Sequence, residues 1–241
     1  VPAGTVEPFA APGPDGWGRA GPLRYLERTL AGGDPREPLP LVVMIHGMGD
    51  APRFDWFREA AVIKTPMRLI MPQAPTPYYG GFSWFPYDPA APDPAALARG
   101  VATATEQIAR AIEVLHARRP SVGRTIVAGF SQGGMLSYAL ALHKPALVAV
   151  SLPISGFLPE PLWPAQRPRG IRFPRIVAMH GDRDDVVPIA PARVLHAALT
   201  ARGYESTLRE FAGVRHQITA EMALYLVALL ESAASSSRRA E

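Results

Sequence analysis

The chain contains no cysteine. That excludes disulfides, a thiolate nucleophile and cysteine-ligated metals, and it leaves the redox compartment open, because a chain without thiols tolerates either environment. Lysine is almost missing too. Lys64 and Lys144 are the only two, so nearly all the positive charge behind a net formal charge of +4 is arginine. Its densest cluster, Arg167, Arg169, Arg172 and Arg175, is interrupted by Pro168, Gly170 and Pro174 and carries no nucleic-acid motif. It reads as a solvated loop, and no nucleic-acid partner is expected. No apolar run approaches the roughly 20 residues that cross a bilayer, so no transmembrane segment is expected. No signal peptide is visible, but the chain begins at Val1 instead of Met, which leaves an exported form open.

What the chain does have is 48% hydrophobic residues in 241, enough for one large α/β domain. Residues 1–22 are rich in Pro, Gly and Ala and read as an extended or disordered arm. The rest alternates. Strands are expected at Leu23–Leu30, Leu41–Ile45, Met67–Met71, Thr125–Gly129, Leu147–Ile154, Arg175–Met179 and Ser206–Phe211. Helices are expected at Phe54–Lys64, from an Asp93 N-cap to about Arg118, from the elbow to His143, at Ala190–Arg202 and at Gln217–Glu231. Residues 72–94 form a Pro- and aromatic-rich loop, and 235–241 a frayed tail. Alternating strands and helices imply a mostly parallel sheet with helices on both faces, in a single domain over 23–234.

One stretch organises the rest. Thr125 to Gly129 reads as a buried strand that runs into Gly129-Phe130-Ser131-Gln132-Gly133 and then into a helix. A serine on a sharp strand-to-helix turn holds its hydroxyl clear of the sheet, within reach of a base. The glycines leave out side chains that so tight a turn cannot accommodate.

A serine hydroxyl needs a base to become a nucleophile near neutral pH. Of six histidines, His216 lies in a loop between the last strand and the last helix, where this fold type places its base. His116 and His143 sit near helix ends and read as surface residues, His196 falls within a helix, and His46 and His180 precede glycines and read as turn-shaping. The base needs an acid to fix its tautomer. The turn after Met179 offers Asp182, Asp184 and Asp185; Asp182 adjoins the glycine and reads as a turn cap, which leaves Asp184 and Asp185 competing. The order Ser, Asp, His is that of an α/β-hydrolase. Oxyanion donors are expected from the backbone N–H of Gln132 and from Met48 in the loop after Leu41–Ile45.

Several pieces together resemble the phospholipase/carboxylesterase family of α/β-hydrolases, which includes the acyl-protein thioesterases. They are His46-Gly47-Met48-Gly49-Asp50, Pro72-Gln73-Ala74-Pro75, Gly129 to Gly134, Ser155-Gly156-Phe157-Leu158-Pro159, His180-Gly181-Asp182 with Val187-Pro188, and His216. The resemblance implies Ser131 as nucleophile, Asp184 as acid, His216 as base, Met48 and Gln132 as oxyanion donors, no metal or cofactor, and a cytoplasmic setting. Asp185 stands where family members often carry proline. The implied activity is hydrolysis of carboxylic esters through an acyl-enzyme. Thioester or lysophospholipid deacylation on the same triad is the alternative, and a non-catalytic binding protein on a hydrolase fold the remoter one. The substrate is expected to be a small or lipid-like acyl ester. Trp84, Phe82 and Phe157 are expected to wall its pocket, although the same aromatics also fit a hydrophobic cluster under a long loop.

Overall fold

The run Leu41–Ile45 has no polar residue because both of its faces are covered, and all seven residues of the strand containing it are buried. The structure is a computed structural model that describes Gly13, residues 15–88 and residues 93–239, with residues 55–57 described by backbone alone. In chain order the strands are β1 (Trp17–Ala20), β2 (Leu23–Leu30), β3 (Leu39–Ile45), β4 (Met67–Pro72), β5 (Thr76–Tyr78), β6 (Gly81–Ser83), β7 (Ser121–Phe130), β8 (Val148–Ile154), β9 (Arg175–Gly181) and β10 (Ser206–Phe211). The helices are α1 (Pro94–Arg118), α2 (Gln132–His143), α3 (Ile189–Ala201) and α4 (Ala220–Arg239), with a 3-10 segment at Phe54–Val62.

Eight strands form an open sheet in the order β1-β2-β4-β3-β7-β8-β9-β10. The pairs β1–β2 and β2–β4 are antiparallel, and every pair from β4–β3 to β9–β10 is parallel. Alternate residues of each strand feed opposite layers. Leu41, Val43 and Ile45 belong to the apolar layer that holds α1, α2 and α3, whereas Val42 and Met44 belong to the layer that holds α4. This is the α/β-hydrolase type of sheet, parallel over most of its width.

Four local readings change. The arm contributes β1, because Gly21 at φ +55° lets the chain fold back and pair Ala20 with Leu23; residues 1–12 and 14 lie outside the described residues. The 72–94 loop contains the β5–β6 hairpin, turned at Tyr79 and Gly80, both at positive φ, the signature of a type I′ turn; residues 89–92 lie outside the described residues. The expected helix at Phe54–Lys64 is 3-10 over Phe54–Val62. The last helix starts at Ala220 and runs through the serine-rich tail to Arg239. Ala233 and Ala234 are buried there, and Ser237 packs on Gly123, so tertiary contact outweighs the modest helix propensity of serine. Residues 240–241 lie outside the described residues.

Asp93 caps α1 as expected: its Oδ1 accepts from the N–H groups of Ala95 (3.0 Å) and Ala96 (2.9 Å). All parallel strands point their carboxyl ends to one edge. That edge collects the loop after β3, the turn after β7, and the turns after β9 and β10.

Candidate active site

Ser131 sits between β7 and α2 with φ +56° and ψ −114°. A non-glycine residue at positive φ is strained, and here the surrounding backbone holds it. A Cβ on Gly133 would lie 2.0 Å from the Ile45 oxygen, and one on Gly129 would lie 2.3 Å from the Gly133 oxygen. Bare backbone is therefore the only way to bring β3, β7 and the start of α2 this close. The Ser131 N–H donates to the Ile154 oxygen at 2.9 Å, which fixes the turn against β8.

His216 reaches this serine from 85 residues away in sequence. Its Nε2 is 3.0 Å from Ser131 Oγ, and its Nδ1 is 2.8 Å from Asp184 Oδ2. A carboxylate only accepts, so Nδ1 carries the proton and Nε2 of the neutral ring is free to accept from the hydroxyl. The Asp184 side chain is fully buried, and its Oδ1 accepts from the N–H groups of Val186 (3.1 Å) and Val187 (2.8 Å). Phe130 stacks at 4.7 Å from the imidazole, between ring centres.

The two aspartates left open differ in their contacts. Asp184 touches His216, and Asp185 pairs with Arg215, whose hydrogen bond holds the Asp185 carboxyl below the usual range. Asp182 accepts from the Gly213 N–H at 2.6 Å, and the Arg183 N–H donates to the Val214 oxygen at 3.0 Å. These bonds stitch the acid-bearing turn to the histidine-bearing loop.

Gln132 is the first residue of α2, so its N–H has no acceptor within the helix. The loop after β3 lies against Ser131, with a Cβ on Gly47 only 3.2 Å from the Ser131 Cβ, and Met48 follows directly. The Gly49 N–H donates to the Phe82 oxygen and the Phe82 N–H to the Asp50 oxygen, both at 2.9 Å, so β6 braces this loop.

Two cavities adjoin the edge. One of about 370 Å³ is lined by Met48, Ser83, Phe85, Tyr87 and Leu97. Another of about 470 Å³ shares Tyr87 and Leu97 and continues to Phe157, Trp163 and Val194. Phe157 lines the second cavity, and Phe82 is half-buried in the brace. Trp84 does not line either cavity. It is 4% exposed and its indole N–H donates to the His46 oxygen at 2.9 Å, because a buried indole needs an acceptor.

The other histidines are spoken for. His46 Nδ1 donates to the Gly47 oxygen (2.7 Å) and its Nε2 accepts from the Ala74 N–H (3.1 Å). Burial lowers the pKa of His46, and the same cause lowers those of His116, His143 and His180. His116 is half-buried, not a surface residue, with Ser121 Oγ at 2.8 Å and Thr125 Oγ1 at 2.9 Å. His143 contacts the Leu162 oxygen at 3.0 Å.

Two contacts were not read from the sequence. His180 Nε2 donates to the Val187 oxygen at 2.8 Å and stands 3.4 Å from Asp184 Oδ2, behind the acid. The Gln132 side chain reaches the 83–85 segment. A polar residue beside Ser131 is the only sequence hint of the second, and nothing local marks the first. Among the described residues no helix is long and apolar enough to cross a membrane.

Comparison with known proteins agrees with this fold. Esterase PE8 superposes with a TM-score of 0.73 at 25% identity, over 87% of this chain and 98% of that one. Acyl-protein thioesterase 2 of Zea mays gives 0.62 at 20% identity, over 86% and 98%. The Bacillus cereus carboxylesterase gives 0.66 at 15% identity, over 87% and 94%. The last two bear on fold alone. The sequence model of the phospholipase/carboxylesterase family matches residues 30–230. The chain belongs to the phospholipase/carboxylesterase family of α/β-hydrolases.

Proposed function

We propose that this protein hydrolyses carboxylic esters through an acyl-enzyme, with Ser131 as nucleophile, His216 as general base and Asp184 as the acid that orients it. The observation that carries the reading is the unbroken hydrogen-bonded string from Ser131 Oγ through His216 to Asp184. Ser131 Oγ attacks the acyl carbon and its proton passes to His216 Nε2. The imidazolium is stabilised by the buried Asp184 carboxylate. The Gln132 and Met48 N–H groups receive the oxyanion, each worth roughly 100- to 1000-fold in turnover. Collapse expels the alkoxide, which takes the proton from His216. Water then attacks the acyl-enzyme by the same route in reverse, releasing the acid and free Ser131.

The apolar lining around Met48, Phe85 and Leu97 supports an acyl group as the buried part of the substrate. A thioester would pass along the same steps with a thiolate leaving group. Paired oxygen and sulfur esters of one acid at equal concentration rank the two.

The test is Ser131→Ala. It should remove hydrolysis of short p-nitrophenyl esters and labelling by a fluorophosphonate probe while the melting temperature holds. Turnover that survives in the variant refutes the assignment.

A further inference from the structure

Gln132 is 2% exposed, and its side chain points away from its backbone task. Its Oε1 accepts from the Trp84 N–H at 3.0 Å, and its Nε2 donates to the Phe85 oxygen at 2.8 Å. The backbone partners fix which end of the amide is which: an N–H can only donate and a carbonyl can only accept. Ser83 Oγ also lies 3.3 Å from Oε1, but it is closer, at 2.8 Å, to the Phe85 oxygen, and a hydroxyl has one proton to give. One side chain of α2 therefore grips Trp84 and Phe85, the two residues that follow β6, and Ser83 at the end of β6 is tied to the same Phe85 oxygen.

Those residues matter for what the site admits. Ser83 and Phe85 line the cavity that opens beside Met48. Phe85 is pressed from the other side by α1, where a Cβ on Gly100 would fall 2.6 Å from the Phe85 Cβ. Trp84, between them, hangs its indole on the His46 oxygen and so joins the grip to the loop that carries Met48. The amide resists any shift of the wall, because releasing it would strand the buried Trp84 N–H and take one of two donors from the Phe85 oxygen.

We infer that the Gln132 side chain is a specificity-determining positioning group, which sets how large an acyl chain fits beside Met48 by fixing the Ser83–Phe85 wall. The inference rests on the esterase reading above for its substrate and on the hydrogen bonds alone for its mechanics.

The test is Gln132→Met, which keeps the length and the backbone N–H and removes every side-chain hydrogen bond. Two measurements are made. One is kcat/KM for p-nitrophenyl acetate, butyrate and octanoate, with KM and kcat separated. The other is hydrogen exchange at the Trp84 amide, which reads the grip without any turnover. The ratio of octanoate to acetate kcat/KM should change by about tenfold or more, carried mainly by KM, and Trp84 exchange should accelerate by about tenfold or more, the loss expected when a buried partner is removed. An unchanged ratio with faster exchange overturns the proposal, since the amide would then only brace the fold. An unchanged exchange rate overturns it whatever the ratio does. If Gln132→Met does not fold, Ser83→Ala frees the Phe85 oxygen of its hydroxyl donor and should shift the ratio in the same direction to a smaller extent; an unmoved ratio there overturns the proposal as well. Ser131→Ala keeps Trp84 protected, so residual hydrolysis in that variant would count against the serine mechanism and leave the grip standing.

Discussion

The two edges of the sheet bury polar groups in opposite ways. At the carboxyl edge, Ser131, His216 and Asp184 form an open string that ends at the Ser131 hydroxyl. At the amino edge, the Glu27 carboxylate is enclosed. Arg68 Nη1 donates to it at 2.5 Å, Arg119 Nε at 3.0 Å, and Arg119 Nη2 also reaches the Tyr25 hydroxyl at 3.0 Å. All three charged side chains are at most 3% exposed. Arg119 precedes β7 and Ser131 follows it, so the ten residues of β7 lie between the two. One cluster ends at a hydroxyl, the group the proposed reaction would use; the other closes on itself and ties α1, β2 and β4 together. Substitution should therefore cost activity at one edge and stability at the other.

The largest expected effect is at the open string. Asp184→Asn should lower kcat by on the order of 10⁴-fold by favouring the wrong imidazole tautomer, with little change in urea midpoint. A large loss of stability instead would erase the contrast between edges. Next comes Glu27→Ala, which strands two buried guanidinium groups and should cost about 3–5 kcal/mol in urea unfolding. Turnover per folded molecule should stay at the parent level, and a parallel fall in kcat would mean that the edges are coupled.

A smaller effect follows from the four histidines whose pKa values burial lowers, His46, His116, His143 and His180. Below about pH 6.5 the unfolded chain binds protons that the folded chain refuses, so stability should fall as pH drops from 7 to 5. His46→Gln, which removes one such site, should make the slope of melting temperature against pH shallower; an unaltered slope would remove His46 from the account. The smallest effect belongs to Asp185→Asn. Its partner Arg215 is exposed, and the change should leave turnover and melting temperature nearly as they were. A marked fall in kcat would make this outer pair part of the working string.

Much of the carboxyl edge could be read from residues in order, because its signals are local. A glycine-flanked serine between an apolar strand and a helix, and a histidine in the loop before the last helix, each announce themselves within a few residues. The amino edge could not be read this way. Glu27, Arg68 and Arg119 are ordinary charged residues in sequence, and only the antiparallel pairing of β2 with β4 brings the first two together. Trp84 shows a third case. Composition identified an aromatic loop, but whether an indole faces a cavity or anchors a backbone depends on where its N–H finds an acceptor, which only the fold decides. The hairpin was hidden because Tyr79 occupies a turn position at φ +43° more often taken by asparagine or glycine.

The glycines around Ser131 carry a consequence for how this scaffold can change. Added methyls at Gly129, Gly133, Gly134 or Gly156 would each meet main-chain atoms within 3 Å, not side chains that could swing aside. Diversification of substrate range by successive point changes must therefore leave the elbow alone and work through Phe85, Tyr87, Phe157 and their neighbours. Variant libraries would be aimed best at those positions, since the turn that carries Ser131 is in effect already frozen.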